Sequence, residues 1–237
     1  MGQPIRVASY NIHKCVGTDG RFDPERVARV ISELDADVVA LQEADQRFGE
    51  RAGLLNLDWL ARHCGLVSVA LAHTEKGHGF HGNVVLFREG SVKRAMQLPL
   101  PGVEPRGAVM VDLSLPHGHV RIMAAHLGLL RRSRAQQARV IHAMARRHDD
   151  VPTILMGDFN EWRLGPRSAL HELDPLFGPL NCQVASYPGR FPMLSLDRIL
   201  ASPAAMLKRL SVHDTPLAKV ASDHLPVKAD LEIPFGP

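Results

Sequence analysis

The stretch that most constrains this chain is ILMGDFNEW, residues 154–162, where a short apolar run stops at Gly157 and presents Asp158, Asn160 and Glu161. The run is too short for a helix and reads as a buried strand. Polar groups at the end of such a strand stand where rigid scaffolds carry chemistry on their loops. Asp, Asn and Gly are also ordinary turn residues, so the stretch gains weight only if the rest of the chain supplies partners.

The chain repeats the pattern. Residues 5–10 read as a strand that ends at Asn11, and residues 12–20 as a polar loop holding His13 and Lys14. Residues 37–41 form a second buried strand ending in Gln42 and Glu43. Residues 106–115 and 120–125 resemble a hairpin turning at 116–118, and its second strand ends at His126. Further strands are expected at 66–71, 83–87, 194–200, 206–212 and 225–233. Asp197 interrupts the third of these, and Asp223 and His224 stand just before the last. A buried carboxylate without a partner costs several kcal/mol, so an Asp inside SLDRIL asks for an explanation.

Helices are signalled between these strands. Asp23 as N-cap and Pro24 at the first helical position precede Val27, Val30, Ile31 and Leu34 at helical spacing. Leu57, Leu60, Ala61 and Cys64 share one face, with Gly65 as C-cap. Ser133 and Gln136 have capping-box spacing ahead of the stripe Ala138, Ile141, Met144 and Ala145. The other side of that helix carries Arg132, Arg139 and Arg146, with Arg131, Arg134 and Arg147 nearby, which reads first as a solvated face. Residues 166–173 suggest a short helix, and residues 177–192, rich in Gly and Pro, an irregular segment. The letters GHGFHG at 77–82 match a dinucleotide fingerprint, but they precede a strand where that motif must follow one, so a mobile glycine loop beside the site is the reading adopted.

Composition narrows the classes. A chain of 237 residues can bury a large core without staples, and no linker, repeat or composition break divides it, so one domain over 1–237 is expected. Cys15, Cys64 and Cys182 are odd in number and far apart, which argues against a disulfide framework or a cysteine zinc site. No apolar run suits a signal peptide or a membrane span, and the expectation is a cytoplasmic protein without an obligate protein partner. A formal charge of +3 and 5% aromatics do not announce a nucleic-acid binder.

YNIH, LQEAD, AAHLG, MGDFN, LDRI and ASDHLP, in this order, resemble the endonuclease/exonuclease/phosphatase superfamily, and they span residues 10–226. The resemblance implies a DNase I-like α/β fold: a four-layer α/β/β/α sandwich of two packed, mostly antiparallel β-sheets flanked by helices. It also implies a divalent-metal-dependent phosphoesterase using Mg²⁺, with Mn²⁺ as a substitute.

Cleaving a phosphate ester requires charge neutralisation on the phosphoryl oxygens, an in-line water and a stabilised leaving oxygen. On that logic Glu43 is the leading metal ligand, Asp223 adds a second contact and Asn11 sits beside the ion. Asp158 orients and helps deprotonate the water, and Asn160 and His126 donate to the phosphoryl group. His224, positioned by Asp197, acts either as base or as charge stabiliser. Asn83, Arg132 and Arg134 are expected to contact substrate.

His126 stands where the abasic-site repair branch generally has a Tyr-containing motif and resembles instead the DNase I, sphingomyelinase and phosphatase branches; the DNase I branch is typically secreted and disulfide-bearing, which the cysteines do not support, so an intracellular phosphoesterase on a small or lipid-derived ester is favoured. The alternatives are a nuclease, with Arg131, Arg132, Arg134 and Arg139 on the phosphate backbone, and a non-catalytic binding module of the same fold. Thirteen histidines raise a zinc hydrolase, but no HExxH supports it. Glu161 and Trp162 have no place in the mechanism and are expected to shape the rim, and Arg198 has no evident role.

Overall fold

Alternation along the central strands decides the architecture. In β1 (Ile5–Asn11) and β2 (Val38–Gln42) every residue but Arg6 is buried, so both faces of each strand must be covered. The computed structural model describes residues 4–46, 49–72, 76–116, 118–146, 151–178 and 184–234, and Arg147 and Cys182 lie outside these. Val7 and Val38 point to a core shared with Val111, Ile122 and Ile154 of a second sheet. Their neighbours Ala8 and Val39 point the other way, to Val27, Ile31 and Leu60. Successive side chains on a strand face opposite sides, so a strand buried on both faces needs two packed layers.

The first sheet has the order β10-β11-β1-β2-β4-β3, adding β3 (Val67–Ser68), β4 (Val84–Phe87), β10 (Leu207–Val212) and β11 (Val227–Leu231). The second has the order β5-β6-β7-β8-β9, with β5 (Ser91–Leu100), β6 (Arg106–Leu115), β7 (Gly118–His126), β8 (Thr153–Asp158) and β9 (Asp197–Ser202). Both are mixed, since β1 pairs in parallel with β2 and β7 with β8. Helices α1 (Pro24–Leu34), α2 (Leu57–Cys64) and α5 (Pro216–Ala221) cover the outer face of the first sheet. Helices α3 (Arg131–Arg146) and α4 (Asp174–Phe177) cover that of the second. The result is the expected four-layer sandwich.

Local signals explain several boundaries. Asp23 accepts from the Arg26 backbone N–H at 2.9 Å with Pro24 behind it, and Gly65 ends α2 at φ 67°. Others differ from the sequence expectation. The third strand is two residues long, and helix α3 starts at Arg131, two residues before the expected cap at Ser133, which is buried inside it. The expected helix at 166–173 is two 3₁₀ turns, Gly165–Arg167 and His171–Leu173. Asp197 does not interrupt its strand but begins it; Leu194 instead bridges to Tyr187. Strand β5 went unread because its first five residues are exposed on the sheet edge and lack alternation.

Candidate active site

Register brings the polar strand ends together. His126 pairs with Asp158 across the parallel β7–β8 ladder, and Asp158 pairs with Asp197 across β8–β9, so three functional groups stand in one cross-strand row. A Cβ on Gly157 would lie 1.8 Å from the Ala125 carbonyl oxygen, so the residue before Asp158 must be glycine for β8 to lie this close to β7. From the facing sheet, Asn11 donates through Nδ2 to Asp158 Oδ2 at 2.9 Å. Asp158 Oδ1 accepts the backbone N–H of Asn160 at 2.9 Å.

Two imidazoles approach Asp158 Oδ2, the Nε2 of His126 at 3.4 Å and the Nε2 of His224 at 3.7 Å. Their electrostatics are opposite. Burial pushes His126 down to about 4, an effect that the Asp158 carboxylate only partly offsets. Arg106 Nη1 donates to His126 Nδ1 at 3.0 Å, so the neutral ring carries its proton on Nε2, toward Asp158. Burial would also lower His224, but the Asp197 and Asp158 charges outweigh it and raise the group to about 10. His224 Nδ1 donates to Asp197 Oδ2 at 2.7 Å, and the Ser186 hydroxyl donates to the same oxygen at 2.6 Å.

Glu43 follows β2 with φ 55°, and its Oε2 accepts from the Lys14 ammonium. Burial would raise the Glu43 carboxyl, yet Lys14 and His126 hold it below its ordinary value. Asn11 and Gln42 are register partners, which sets Asn11 beside the Glu43 backbone, and the Asn11 Oδ1 accepts the His13 N–H at 3.0 Å. Asp223 is half-buried, 3.6 Å from His13 Nδ1. Among the described residues, eight non-glycine positions have positive φ. Seven of them (His13, Lys14, Cys15, Glu43, Arg51, His81 and Asn160) lie on loops around this site, while Asp35 caps α1. Such backbone is costly and marks positions that the surrounding structure holds for function.

Two groups could accept a cation. Asp158, Asp197 and His224 bring ligand atoms within 4.8 Å of one another. In this trio His224 Nδ1 already donates to Asp197 Oδ2, and Asp158 Oδ2 accepts from Asn11, so its groups are engaged with one another and with the facing sheet. Glu43 is the other: it is an ionised carboxylate with a positive charge already at its oxygen and an amide oxygen on the neighbouring strand end, the hard donors a divalent ion takes.

The remaining expected residues divide. Asn160 Nδ2 donates to Leu127 O at 3.0 Å, leaving one amide proton for a ligand. Asn83 is buried and donates to the carbonyls of Gly107, Phe80 and His81, so its amide ties the 77–82 loop to β6. Arg132 is exposed. Arg134 is not on the solvated face: it is buried, donating to the carbonyls of Gly128 and Leu129 and to Glu161 Oε2. Glu161 is likewise fully buried rather than at the rim, and Trp162 alone of the two is half-exposed. The Glu161 carboxyl, which burial would raise, is lowered by the backbone N–H groups of Arg163 and Ala169 and by Arg134. Arg198, pushed down to about 10 by burial, donates through Nη2 to Glu161 O at 2.7 Å and so braces the turn after β8. Arg106, Glu104 and Ser186 were missed. Nothing in the letters signals them: Arg106 begins β6 and Glu104 and Ser186 lie on loops, and only the fold brings them to His126 and Asp197.

Two facing mixed sheets with this polar row at their ends define the DNase I-like class of α/β sandwich. The sequence pattern of the Endonuclease/Exonuclease/phosphatase family matches residues 8–224, and the chain belongs to that family, whose members hydrolyse phosphate esters. It is 31% identical to the Escherichia coli (strain K12) uncharacterized protein YbhP over 254 residues, covering 97% of this chain and 96% of that one. Among solved structures it resembles the Bacteroides thetaiotaomicron mannosyl-6-phosphatase Bt3783, with 18% identity, TM-score 0.71, 96% of this chain and 99% of that one. It also resembles D. rerio TDP2 complexed with single-strand DNA product, with 15% identity, TM-score 0.67, 96% and 98% covered. At these identities the solved structures speak for the fold alone.

Proposed function

We propose that the protein is a Mg²⁺-dependent phosphoesterase, acting as one catalytic domain in the cytoplasm on a small or lipid-derived phosphate ester. The observation that carries this reading is the convergence of neutral His126 and protonated His224 on one oxygen of Asp158, with Asp197 behind His224. Glu43, with Asn11 and Asp223 as further ligands, would hold a divalent cation, which would neutralise phosphoryl charge.

The chain's own groups supply the rest. Asp158 accepts from the attacking water and aligns it with the leaving oxygen. His224, kept charged by Asp197, stabilises the charge that builds on the phosphoryl oxygens, a role its raised proton affinity suits better than that of base. His126 Nε2–H and the second amide proton of Asn160 complete the donor set.

Exposed apolar side chains at the same end of the second sheet favour a substrate with an apolar part. Leu129 and Leu130 follow β7, Trp162 and Leu164 follow β8, and Phe191 and Met193 precede β9. Cys15 and Cys64, both free thiols, fit a reducing compartment. Among the described residues no helix is long and apolar enough to cross a membrane.

The test is hydrolysis of bis-p-nitrophenyl phosphate with Mg²⁺, with Mn²⁺ and with EDTA, alongside Asp158→Ala and His224→Ala. Turnover that survives EDTA or both substitutions sinks the reading. A nuclease is the second reading, favoured by exposed Arg132 at the start of α3. It predicts nicking of duplex DNA and binding that weakens steeply with salt.

A further inference from the structure

The Glu104–Arg106–His126 chain that fixes the His126 proton has a counterpart across the same pocket. Asp45 Oδ2 and Oδ1 accept from Arg51 Nε and Nη2 at 2.8 and 3.1 Å, and Arg51 Nη1 meets His81 Nδ1 at 3.5 Å. A guanidinium can only donate, so His81 Nδ1 accepts and its proton lies on Nε2, as in His126. Glu43, Arg51, His81, Arg106 and His126 line one pocket.

The pocket is rich in donors that nothing else occupies. Both Asp45 oxygens face Arg51, and Glu104 accepts from Arg106 and from the Leu129 backbone. Among the described residues His81 Nε2 has no partner, and Arg51 keeps N–H groups beyond those on Asp45 and His81. Apart from Glu43, assigned above to the cation, what remains to be satisfied is N–H, and such a lining asks for an acceptor-rich ligand.

The loop is shaped for this. Arg51 and His81 both hold left-handed backbone, at φ 52° and 49°. A Cβ at Gly107 would meet His81 Cδ2 at 2.9 Å and the Phe80 ring at 2.6 Å, so the β6 glycine beside Arg106 makes the room that His81 occupies. Asn83 ties the carbonyls of His81 and Gly107 together. None of these residues has a role in the hydrolysis proposed above.

We propose that Arg51 and His81 form a second anion subsite beside the reacting phosphate, so that the substrate is a phosphate ester bearing another anionic group, a phosphate or a carboxylate. This rests on the phosphoesterase reading for the first group. The test is competition against bis-p-nitrophenyl phosphate at one buffered free Mg²⁺ concentration by methylphosphonate, phosphonoacetate and methylenediphosphonate. In the unaltered protein a two-anion probe binds roughly tenfold or more tighter than methylphosphonate, the effect of one charge-assisted hydrogen bond. Whichever two-anion probe binds better tells carboxylate from phosphate.

In Arg51→Gln and His81→Gln that advantage disappears while turnover of bis-p-nitrophenyl phosphate is retained. If Arg51→Gln fails to fold, His81→Gln, which leaves the Asp45–Arg51 pair intact, carries the test. An equal affinity for all three probes overturns the proposal, and so does an advantage that survives both substitutions. If the unaltered protein hydrolyses no ester, the phosphoesterase reading fails separately, and calorimetric titration of the same probes still decides the subsite.

Discussion

His126 and His224 present their Nε2 atoms to one oxygen of Asp158, at 3.4 and 3.7 Å, and at neutral pH the first is uncharged and the second charged. Two identical side chains are set apart by what stands behind them, an arginine for one and an aspartate for the other.

This difference has a pH signature. His224 at about 10 lies above its ordinary 6.5, so its protonation contributes stability in full below about pH 6.5, and this is lost as pH rises through about 10. His126 at about 4 has the reverse sign: its contribution is present above about pH 6.5 and is lost as pH falls through about 4. Unfolding free energy of the metal-free protein against pH should therefore fall on both sides of neutrality. His224→Gln should flatten the alkaline limb only, and His126→Gln the acid limb only. NMR titration of the ring carbons checks the two values directly.

Asp197→Asn removes the charge that holds His224 protonated while keeping a side chain of the same shape. We expect kcat on a generic diester to fall by roughly two to four orders of magnitude, by analogy with loss of an orienting carboxylate behind a catalytic His. The alkaline limb of the rate profile should move toward neutral pH. An unchanged profile would show that His224 takes its charge from elsewhere.

Glu43→Gln keeps the hydrogen-bonding shape and removes the charge that faces Lys14. Thermal unfolding with and without Mg²⁺ should show the metal-dependent rise in Tm of the unaltered protein disappear in the variant. A rise of equal size in both would place the cation elsewhere.

Arg134 and Arg132 should part ways although they lie two residues apart on one helix. Arg134→Ala removes one partner of the buried Glu161 carboxylate, which keeps the Arg163 and Ala169 N–H groups, and should cost about 1–3 kcal/mol in urea unfolding. Arg132→Ala should leave stability within about 0.5 kcal/mol, as an exposed substitution does. If the substrate is nucleic acid, Arg132→Ala should also lower the salt dependence of binding.

Much of this was legible in the sequence, for a physical reason. Residues at strand ends, such as Asn11, Glu43, His126 and Asp158, break apolar runs, and a break in a run is a one-dimensional signal. Asp197 and His224 carried less, because their strand starts were misplaced until register was known. What stayed hidden depends on three-dimensional pairing. Arg134 looked like one more surface arginine, since nothing in the letters says that a turn 27 residues later buries a glutamate against it. Arg51 and His81 meet only because two loops converge, and β5 escaped notice because an edge strand need not alternate.

The row His126, Asp158, Asp197 has one more consequence. Adjacent strands fix the lateral spacing of these groups, and a slip of β8 by a single residue would turn Asp158 to the opposite face. On the proposed function, chemistry would thus be a report on strand alignment: a chain that folds to the right shape in the wrong register should be inert.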